Sequence, residues 1–407
     1  MTGVGRIVIV GGGIAGWTVA TSLRAGAYDG EIVVIDREPV CYDRPPLSKT
    51  VLVDDAPLAA LAFADPATAA SQRIDVRCGR TATALDAATR TITLDDGTRV
   101  AGDAVVLATG AAARRPDFPG ADLPGVVTLR TYADAVRVRA LLGRRVAVVG
   151  AGLIGAEAAA ALREAGSEVV LIDPNAVPGT RVFGPTLAAH LHAMHAAHGV
   201  DVRTGTVARV AQRADGLRLD LAAGESLDVD GVLVGTGITI DTSLASAAGI
   251  ETAGGILVDD EGRTTVAGVF AVGDATRRRL STGLAHPCGH WEAAELDGRA
   301  VAAAILGAAP APRGADWFWS DRYGHHVEVV GDIASATGQE VVRPGQHPTV
   351  FRVDGGMLRG AGSVDDPMAV RAARRLIDRA VPVDPDRLAD PDVPLRSLLP
   401  KPALSPS

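Results

Sequence analysis

Arg6-Ile7-Val8-Ile9-Val10-Gly11-Gly12-Gly13-Ile14-Ala15-Gly16 is the stretch that decides the fold of this chain. Four consecutive β-branched residues that stop at three glycines read as a buried parallel strand, and an Ala-rich helical pattern follows from Ile14 to Ala25. In Gly11-x-Gly13-x-x-Gly16 the glycines permit a tight turn, close backbone approach to a pyrophosphate, and close packing of helix on strand. The helix start adds unpaired N–H groups and the positive end of the helix dipole. A second strand, Ile32 to Ile35, ends at Asp36, where a carboxylate can accept ribose hydroxyls. Gly-rich strand-to-helix turns also arise from packing alone, so one such fingerprint is weak.

The same plan returns further along. A strand from Arg145 to Val149 runs into Gly150-x-Gly152-Leu153-Ile154-Gly155, an Ala-rich helix reaches Ala165, and a strand from Val169 to Ile172 ends at Asp173. Glycine spacing and acid both repeat, which makes two dinucleotide sites the preferred reading. Between the repeats, Asp86 to Arg99 reads as a hairpin turning at Asp96-Gly97, and a strand from Ala104 to Leu107 runs into Ala108-Thr109-Gly110. Pro116, Pro119-Gly120 and Pro124-Gly125 mark a crossing between domains, with Gly235-Thr236-Gly237 as the return. Val269-Phe270-Ala271-Val272-Gly273-Asp274 is a strand ending in Gly-Asp, which can hold a flavin ribitol but is also a common turn pair.

Expected from these features is an α/β chain with two Rossmann-like dinucleotide-binding domains, one inserted in the other, plus a C-terminal α+β domain, in a glutathione-reductase-like arrangement. The boundaries fall at residues 1–112 with 241–313, residues 113–240, and residues 314–407, with a loose Pro-rich tail beyond Pro391. A formal charge of −8 in 407 residues argues against a nucleic-acid coat. Glycines interrupt the apolar run near the start, and no stretch of ~20 apolar residues occurs elsewhere, so a cytoplasmic, membrane-free protein is expected. Cys41, Cys78 and Cys288 form no CxxC pair, which disfavours a dithiol reductase. His192, His195 and His198 are read as one partly solvated helix face, and no metal site is expected.

Two further segments, Tyr42-Asp43-Arg44-Pro45-Pro46-Leu47-Ser48-Lys49 and Trp317-Phe318-Trp319-Ser320-Asp321, carry a resemblance. Together with the order of the motifs they resemble the FAD/NAD(P)-linked ferredoxin reductase family, of the putidaredoxin reductase and aromatic-ring dioxygenase type, over almost the whole chain. The resemblance implies that FAD lies among Gly11, Gly13, Ala15, Gly16, Asp36, Ala108, Thr109, Gly110, Gly273 and Asp274, and that NADH lies on the inserted fingerprint with Gly235, Thr236 and Gly237. It further implies Arg44 on the FAD pyrophosphate within a loop that includes Pro46, Arg130 on the adenosine side, and Ala82, His290 and Trp291 against FAD. Lys49 is implied near the flavin N5 and paired with Glu157, with Trp319 close to the isoalloxazine. Asp173-Pro174-Asn175 favours NADH, because a carboxylate bonds a 2′-hydroxyl and repels a 2′-phosphate.

Several positions depart from the family pattern. Arg37 follows the first-strand acid, Pro287-Cys288-Gly289 precede His290-Trp291, Ile240-Asp241 follow the return crossing, and Arg322-Tyr323-Gly324-His325-His326 continue the C-terminal segment. The expected activity is hydride transfer from NADH to flavin, followed by single electrons to a ferredoxin or rubredoxin that feeds a P450 or ring-hydroxylating dioxygenase. Alternatives are a self-contained NADH oxidase or thiol-disulfide reductase of the same fold, which would need a reactive Cys41, and an NADH-responsive redox sensor. Arg277-Arg278-Arg279 directly follow Gly-Asp and its two neighbours, and are weighed as a docking patch for an acidic partner against a plain solvated charge run. Monomer and homodimer both remain open.

Overall fold

The computed structural model of the chain describes residues 5–280, 283–284 and 289–400. The chain divides into two compact units, Met1–Pro46, Asp55–Ala113 and Ile238–Arg313 in the first, and Leu47–Asp54, Arg114–Gly237 and Gly314–Ser407 in the second.

In the first unit the β-branched run forms β1 (Arg6–Val10), the Ala-rich pattern forms α1 (Ile14–Ala25), and β2 (Glu31–Asp36), β3 (Ile74–Cys78) and β4 (Ala104–Leu107) follow. With the closing strand Val269–Ala271 they build a parallel sheet in the order closing strand, β4, β1, β2, β3. Alternation along each strand decides what covers each face. Ile7, Ile9, Val34 and Val106 pack on Trp17, Val19 and Leu23 of α1 and on Val301 and Ile305 of the helix Trp291–Leu306. Val8, Val10, Val33, Ile35 and Leu107 pack instead on Leu85, Ile92, Leu94 and Val100. Those last four belong to a three-stranded antiparallel layer, Ala82–Asp86, Thr91–Leu94 and Arg99–Ala101, that turns at Gly97 with φ +81°.

The second unit repeats the device. β5 (Arg145–Val149), α2 (Leu153–Glu164), β6 (Glu168–Asp173), α3 (Pro185–Ala197), β7 (Asp201–Thr204) and β8 (Gly231–Val234) include a parallel sheet ordered β7, β6, β5, β8 and then Val126–Thr128. An antiparallel layer, Val207–Arg213, Gly216–Leu221 and Ser226–Val229, covers one face through Val210, Leu217, Leu219 and Val229.

After Gly314 the same unit adds β9 (Trp317–Arg322), β10 (His325–Gly331), β11 (Gln339–Arg343), β12 (Thr349–Asp354), β13 (Met357–Val364) and α4 (Pro367–Asp378). The sheet is antiparallel in the order β9, β10, β13, β12, β11. Val327 and Val329 face Leu187 and Leu191 of α3, whereas Phe351, Val353 and Ala361 face Ala369, Val370 and Leu376 of α4. One expectation is corrected here. The Pro-rich end is not loose up to Pro400, because Leu395 is buried, Leu398 and Leu399 pack on the same core, and Arg343 donates to the Val393 carbonyl. The prolines masked three leucines that a sheet flanked by α4 can bury. Residues 401–407 lie outside the described residues. Among the described residues no helix is long and apolar enough to cross a membrane.

Candidate functional site

β1 delivers its chain to Gly11 at φ +113°, where a Cβ would stand 2.1 Å from the Ala108 carbonyl oxygen. A Cβ on Gly16 would stand 2.0 Å from the Gly11 carbonyl oxygen, so two of the three glycines are demanded by backbone contact. The third is different: nothing lies within 4 Å of a Cβ built on Gly13. That open side coincides with the start of α1, which no side chain caps, so its first N–H groups point to a place a pyrophosphate can fill. Asp36, buried at the end of β2, accepts from the Gly12 N–H through Oδ2 at 2.5 Å and from the Glu38 N–H through Oδ1 at 2.7 Å. Each carboxylate oxygen retains a lone pair, so the acid can fasten the loop and still receive a ribose hydroxyl.

Ala108 and Gly273 close on this cradle, and other implied residues of the first unit have partners of their own. Ala108 is buried and Gly110 takes φ +64°. Gly273, at φ +70°, lies so close that a Cβ on it would come 2.8 Å from the Ala15 Cβ, which seats Gly-Asp against the fingerprint helix. Asp274 and His290 are half-buried and Thr109 is exposed. Asp43, whose carboxyl is raised by burial, accepts from Trp291 Nε1 at 2.8 Å, and the Arg44 guanidinium lies over the Tyr42 ring at 5.2 Å. Pro46 belongs to the short helical turn Pro45–Ser48, and Ala82 opens a strand of the antiparallel layer opposite Leu94. Pro287 and Cys288 lie outside the described residues. The arginine run does not form an unpaired cationic patch: Arg277 donates to the Ala253 carbonyl at 2.9 Å, Arg278 lies 3.5 Å from Asp260, and Arg279 pairs with Glu251.

The second fingerprint has the same construction. Gly150 takes φ +96° with a would-be Cβ 2.6 Å from the Gly235 carbonyl oxygen, and a Cβ on Gly155 would meet the Gly150 carbonyl oxygen at 1.9 Å. Gly152 faces open space, and α2 also begins without a side-chain cap. Asp173 Oδ2 accepts from the Ala151 N–H at 2.9 Å, while Oδ1 accepts both the backbone and side-chain N–H groups of Asn175 at 2.9 Å. Beside this cradle Leu153 is half-buried and Ile154 is 44% exposed. Gly237 takes φ +113° and its carbonyl accepts from the Arg114 N–H, which closes the crossing. Arg130 is half-buried, with its backbone N–H on Asp134 beside the capping box of the helix Tyr132–Arg139. Both cradles fit a dinucleotide on the same grounds: glycine where a side chain would clash, space where phosphate is to lie, and an acid held by the loop.

A charged cluster stands on α2 and β9. Glu157 is 6% exposed, and its carboxylate accepts from Ser48 Oγ at 2.6 Å, Ser320 Oγ at 2.7 Å and the Asp321 N–H at 3.2 Å. Lys49 Nζ lies 3.6 Å from Glu157 but only 2.6 Å from Asp321 Oδ2, so the lysine bridges two carboxylates and its tighter partner is Asp321. Against the opposing effect of burial, the bonds from Lys49 and His326 hold the Asp321 carboxyl below the usual carboxylate range. Lys49 Nζ also sits 5.5 Å from the centre of the Trp319 ring, which stacks on Trp317. Arg322 is buried behind the cluster, with Nη2 3.2 Å from Ser320 Oγ, and supplies positive charge near Glu157. Ser48, Ser320, Asp321 and Arg322 had no role in the sequence reading. Their signal was present, since both diagnostic segments end in a serine followed by a charged residue.

Two groups of polar residues meet in ways their spacing did not show, and the second corrects an expectation. Cys41 and Cys78, scattered in sequence, bring their sulfurs to 3.7 Å because β2 pairs with β3. The contact with Cys78, burial and the nearby Asp36 carboxylate push the Cys41 thiol up, while the same contact pulls the Cys78 thiol down. The histidine row on α3 is not uniformly solvated: His195 is buried with Nδ1 2.6 Å from the Tyr323 hydroxyl, and burial followed by the charge of Arg322 pushes it down to about 3.

Residues 5–295 match the family described as pyridine nucleotide-disulphide oxidoreductase, and residues 317–399 match the reductase C-terminal family. The chain is 37% identical over 407 residues to the ferredoxin reductase component of chlorobenzene dioxygenase from Cupriavidus sp. (strain PS12), with 97% of each covered. Among solved structures, the ferredoxin reductase for the CYP199A2 system from Rhodopseudomonas palustris is similar at TM-score 0.92 and 31% identity, covering 97% of this chain and 99% of that one. A chain of the covalent putidaredoxin reductase–putidaredoxin complex is similar at TM-score 0.91 and 30% identity, with 97% of each covered.

Proposed function

The chain belongs to the pyridine nucleotide-disulphide oxidoreductase family, and on that premise we propose that it is an FAD-dependent NADH:ferredoxin reductase of the kind that feeds a cytochrome P450 or a ring-hydroxylating dioxygenase. When bound, FAD and NADH supply the redox chemistry: a hydride from the nicotinamide in, and single electrons out to a small iron–sulfur protein. The observation that carries this reading is the pair of acid-terminated glycine cradles in one chain.

In this proposal the first cradle, with Asp36, Ala108, Thr109, Gly110, Gly273 and Asp274, holds FAD, and the second, with Asp173, holds NADH. Arg44 meets the pyrophosphate, and Arg130, Ala82, His290 and Trp291 line the rest of the flavin nucleotide. Lys49 and Trp319 face the isoalloxazine. A lysine held between Glu157 and Asp321 is oriented by both, and its charge favours added electron density beside it. Hydride transfer needs no acid–base residue, so the chain's task is alignment and electrostatic tuning. The division into residues 1–112 with 241–313, 113–240 and 314–407, and a cytoplasmic location, belong to the same proposal.

Anaerobic stopped-flow mixing tests the reading. NADH should bleach the bound flavin, and a ferredoxin or rubredoxin mixed in next should restore its colour within turnover time. Reoxidation by oxygen alone would move the protein to the NADH oxidases, and slow reoxidation with a long-lived charge-transfer band would make it a redox sensor. Cys41→Ser should leave turnover intact, and loss of turnover would move the protein to the thiol-disulfide reductases.

A further inference from the structure

Away from both cradles, four segments of the second unit bring imidazoles and a carboxylate together. His190 comes from α3, His325 opens β10, His347 lies between β11 and β12, and Asp365 follows β13. His325 Nδ1 is 2.7 Å and His347 Nε2 is 3.9 Å from the same oxygen, Asp365 Oδ2. The candidate ligand atoms of these three residues all lie within 4.8 Å of one another. From this convergence we propose that His325, His347 and Asp365 form a binding site for a divalent cation of the zinc class.

Three features fit a cation better than a simple ion pair. His347 Nε2 is buried and has no hydrogen-bond partner, although an imidazole nitrogen out of water ordinarily finds one. Its other nitrogen, Nδ1, lies 3.0 Å from His190 Nε2, an outer contact that fixes the ring and turns Nε2 toward Asp365, as second-shell partners of metal-bound histidines do. The carboxylate is oriented as well: Asp365 Oδ1 accepts from the His326 N–H at 2.8 Å, and Oδ2 is left for the two rings.

Tetrahedral zinc with bonds of ~2.1 Å places its ligands about 3.4 Å apart. The 2.7 and 3.9 Å separations bracket that spacing, and the widest pair, within 4.8 Å, would have to close by up to about 1.4 Å. Two imidazoles and one carboxylate are borderline ligands that favour zinc over magnesium or calcium, and water completes the fourth position. Binding would replace the direct contact between His325 and Asp365, and would tie the starts and ends of three strands of the C-terminal sheet.

The test uses the untagged, flavin-loaded protein after treatment with a chelator. Zinc is titrated by competition with a chromophoric chelator, and cobalt(II) is titrated separately while absorbance is followed at wavelengths longer than the oxidised flavin bands. One equivalent of zinc per chain and an intense cobalt band of tetrahedral type are expected. His347→Ala and Asp365→Asn should each weaken zinc at least about tenfold and remove the cobalt band, while His192→Ala should leave both unchanged. The asparagine variant keeps an oxygen for the His326 N–H, and an unchanged flavin content certifies that a variant is folded. Absence of zinc binding by the wild type, or equal binding by wild type and the folded Asp365→Asn variant, would overturn the proposal.

Discussion

The two glycine cradles are close copies in backbone and unlike in what stands behind them. Each first glycine abuts a carbonyl at the end of a neighbouring strand, Ala108 in one and Gly235 in the other, and each third glycine abuts the first. Gly13 and Gly152 start their helices at nearly the same dihedrals, φ −71° and −69°. Two residues past the third glycine the copies part. Thr18 of α1 packs against Gly298 of the helix Trp291–Leu306, whereas Glu157 of α2 carries a buried charge bonded to Ser48, Ser320 and Lys49. Backbone demands of phosphate binding are therefore kept, while the next turn of helix is free to serve packing in one copy and electrostatics in the other.

The broadest expected effect separates the copies by cofactor. Gly11→Ala forces a Cβ into the Ala108 carbonyl at an unfavourable φ and should cost flavin content at least about tenfold, ~1.4 kcal/mol or more, read from the ratio of flavin to protein absorbance. Gly150→Ala should keep the yellow colour and lose NADH affinity to a similar degree, read by anaerobic titration. If both substitutions removed flavin equally, the division of labour between the cradles would fail.

The largest loss of stability is expected at the buried carboxylate. Glu157→Ala removes the buried counter-charge of Arg322 and leaves Lys49 with Asp321 alone, and should destabilise the second unit by about 3–5 kcal/mol, whereas Thr18→Ala should cost about 1 kcal/mol, both by chemical denaturation. Comparable losses would show that the charge is no more than packing.

Acid sharpens the contrast between the units further. The folded pKa of His195, about 3, lies below the ordinary imidazole value of 6.5, so its contribution is present above pH ~6.5 and is lost as pH falls toward 3. At pH 5 the loss is about 2 kcal/mol, and His195→Gln should flatten this limb of the stability profile of the second unit. A wild-type profile that is level from pH 7 to 5 would remove the basis for it.

The smallest effect concerns the acids of the cradles. Asp173→Ala should reduce the preference for NADH over NADPH by about tenfold, ~1.4 kcal/mol, measured as the ratio of kcat/KM values. Asp36→Ala should leave that ratio alone.

Legibility followed the range of the interactions. β1, α1 and β2 with their glycines were readable because strand burial, helix periodicity and phosphate-binding turns are written in adjacent residues. Lys49 and Glu157 were named from resemblance, but Asp321 as the tighter partner was not, since nothing in the local pattern says that the one carboxylate of β9 turns toward the loop. The histidines show the same limit. A row on one helix drew notice because its spacing is regular, whereas His190, His325, His347 and Asp365 meet only through the pairing of β10 with β13 and the packing of α3 on their sheet. The leucines beyond Pro391 were hidden by their prolines until α4 gave them a surface to bury against.

By itself the sequence determined two βαβ turns shaped for dinucleotides, the acid that ends each second strand, and the type of elements that follow. Those are local properties, fixed by φ, by Cβ sterics and by apolar period within a few residues. Tertiary structure alone decided which charges share the Glu157 pocket, which sulfurs touch, which histidine loses its proton to burial and which imidazoles converge on Asp365. Such facts depend on strand register and on the exclusion of water between distant segments, and no local run of residues encodes either one.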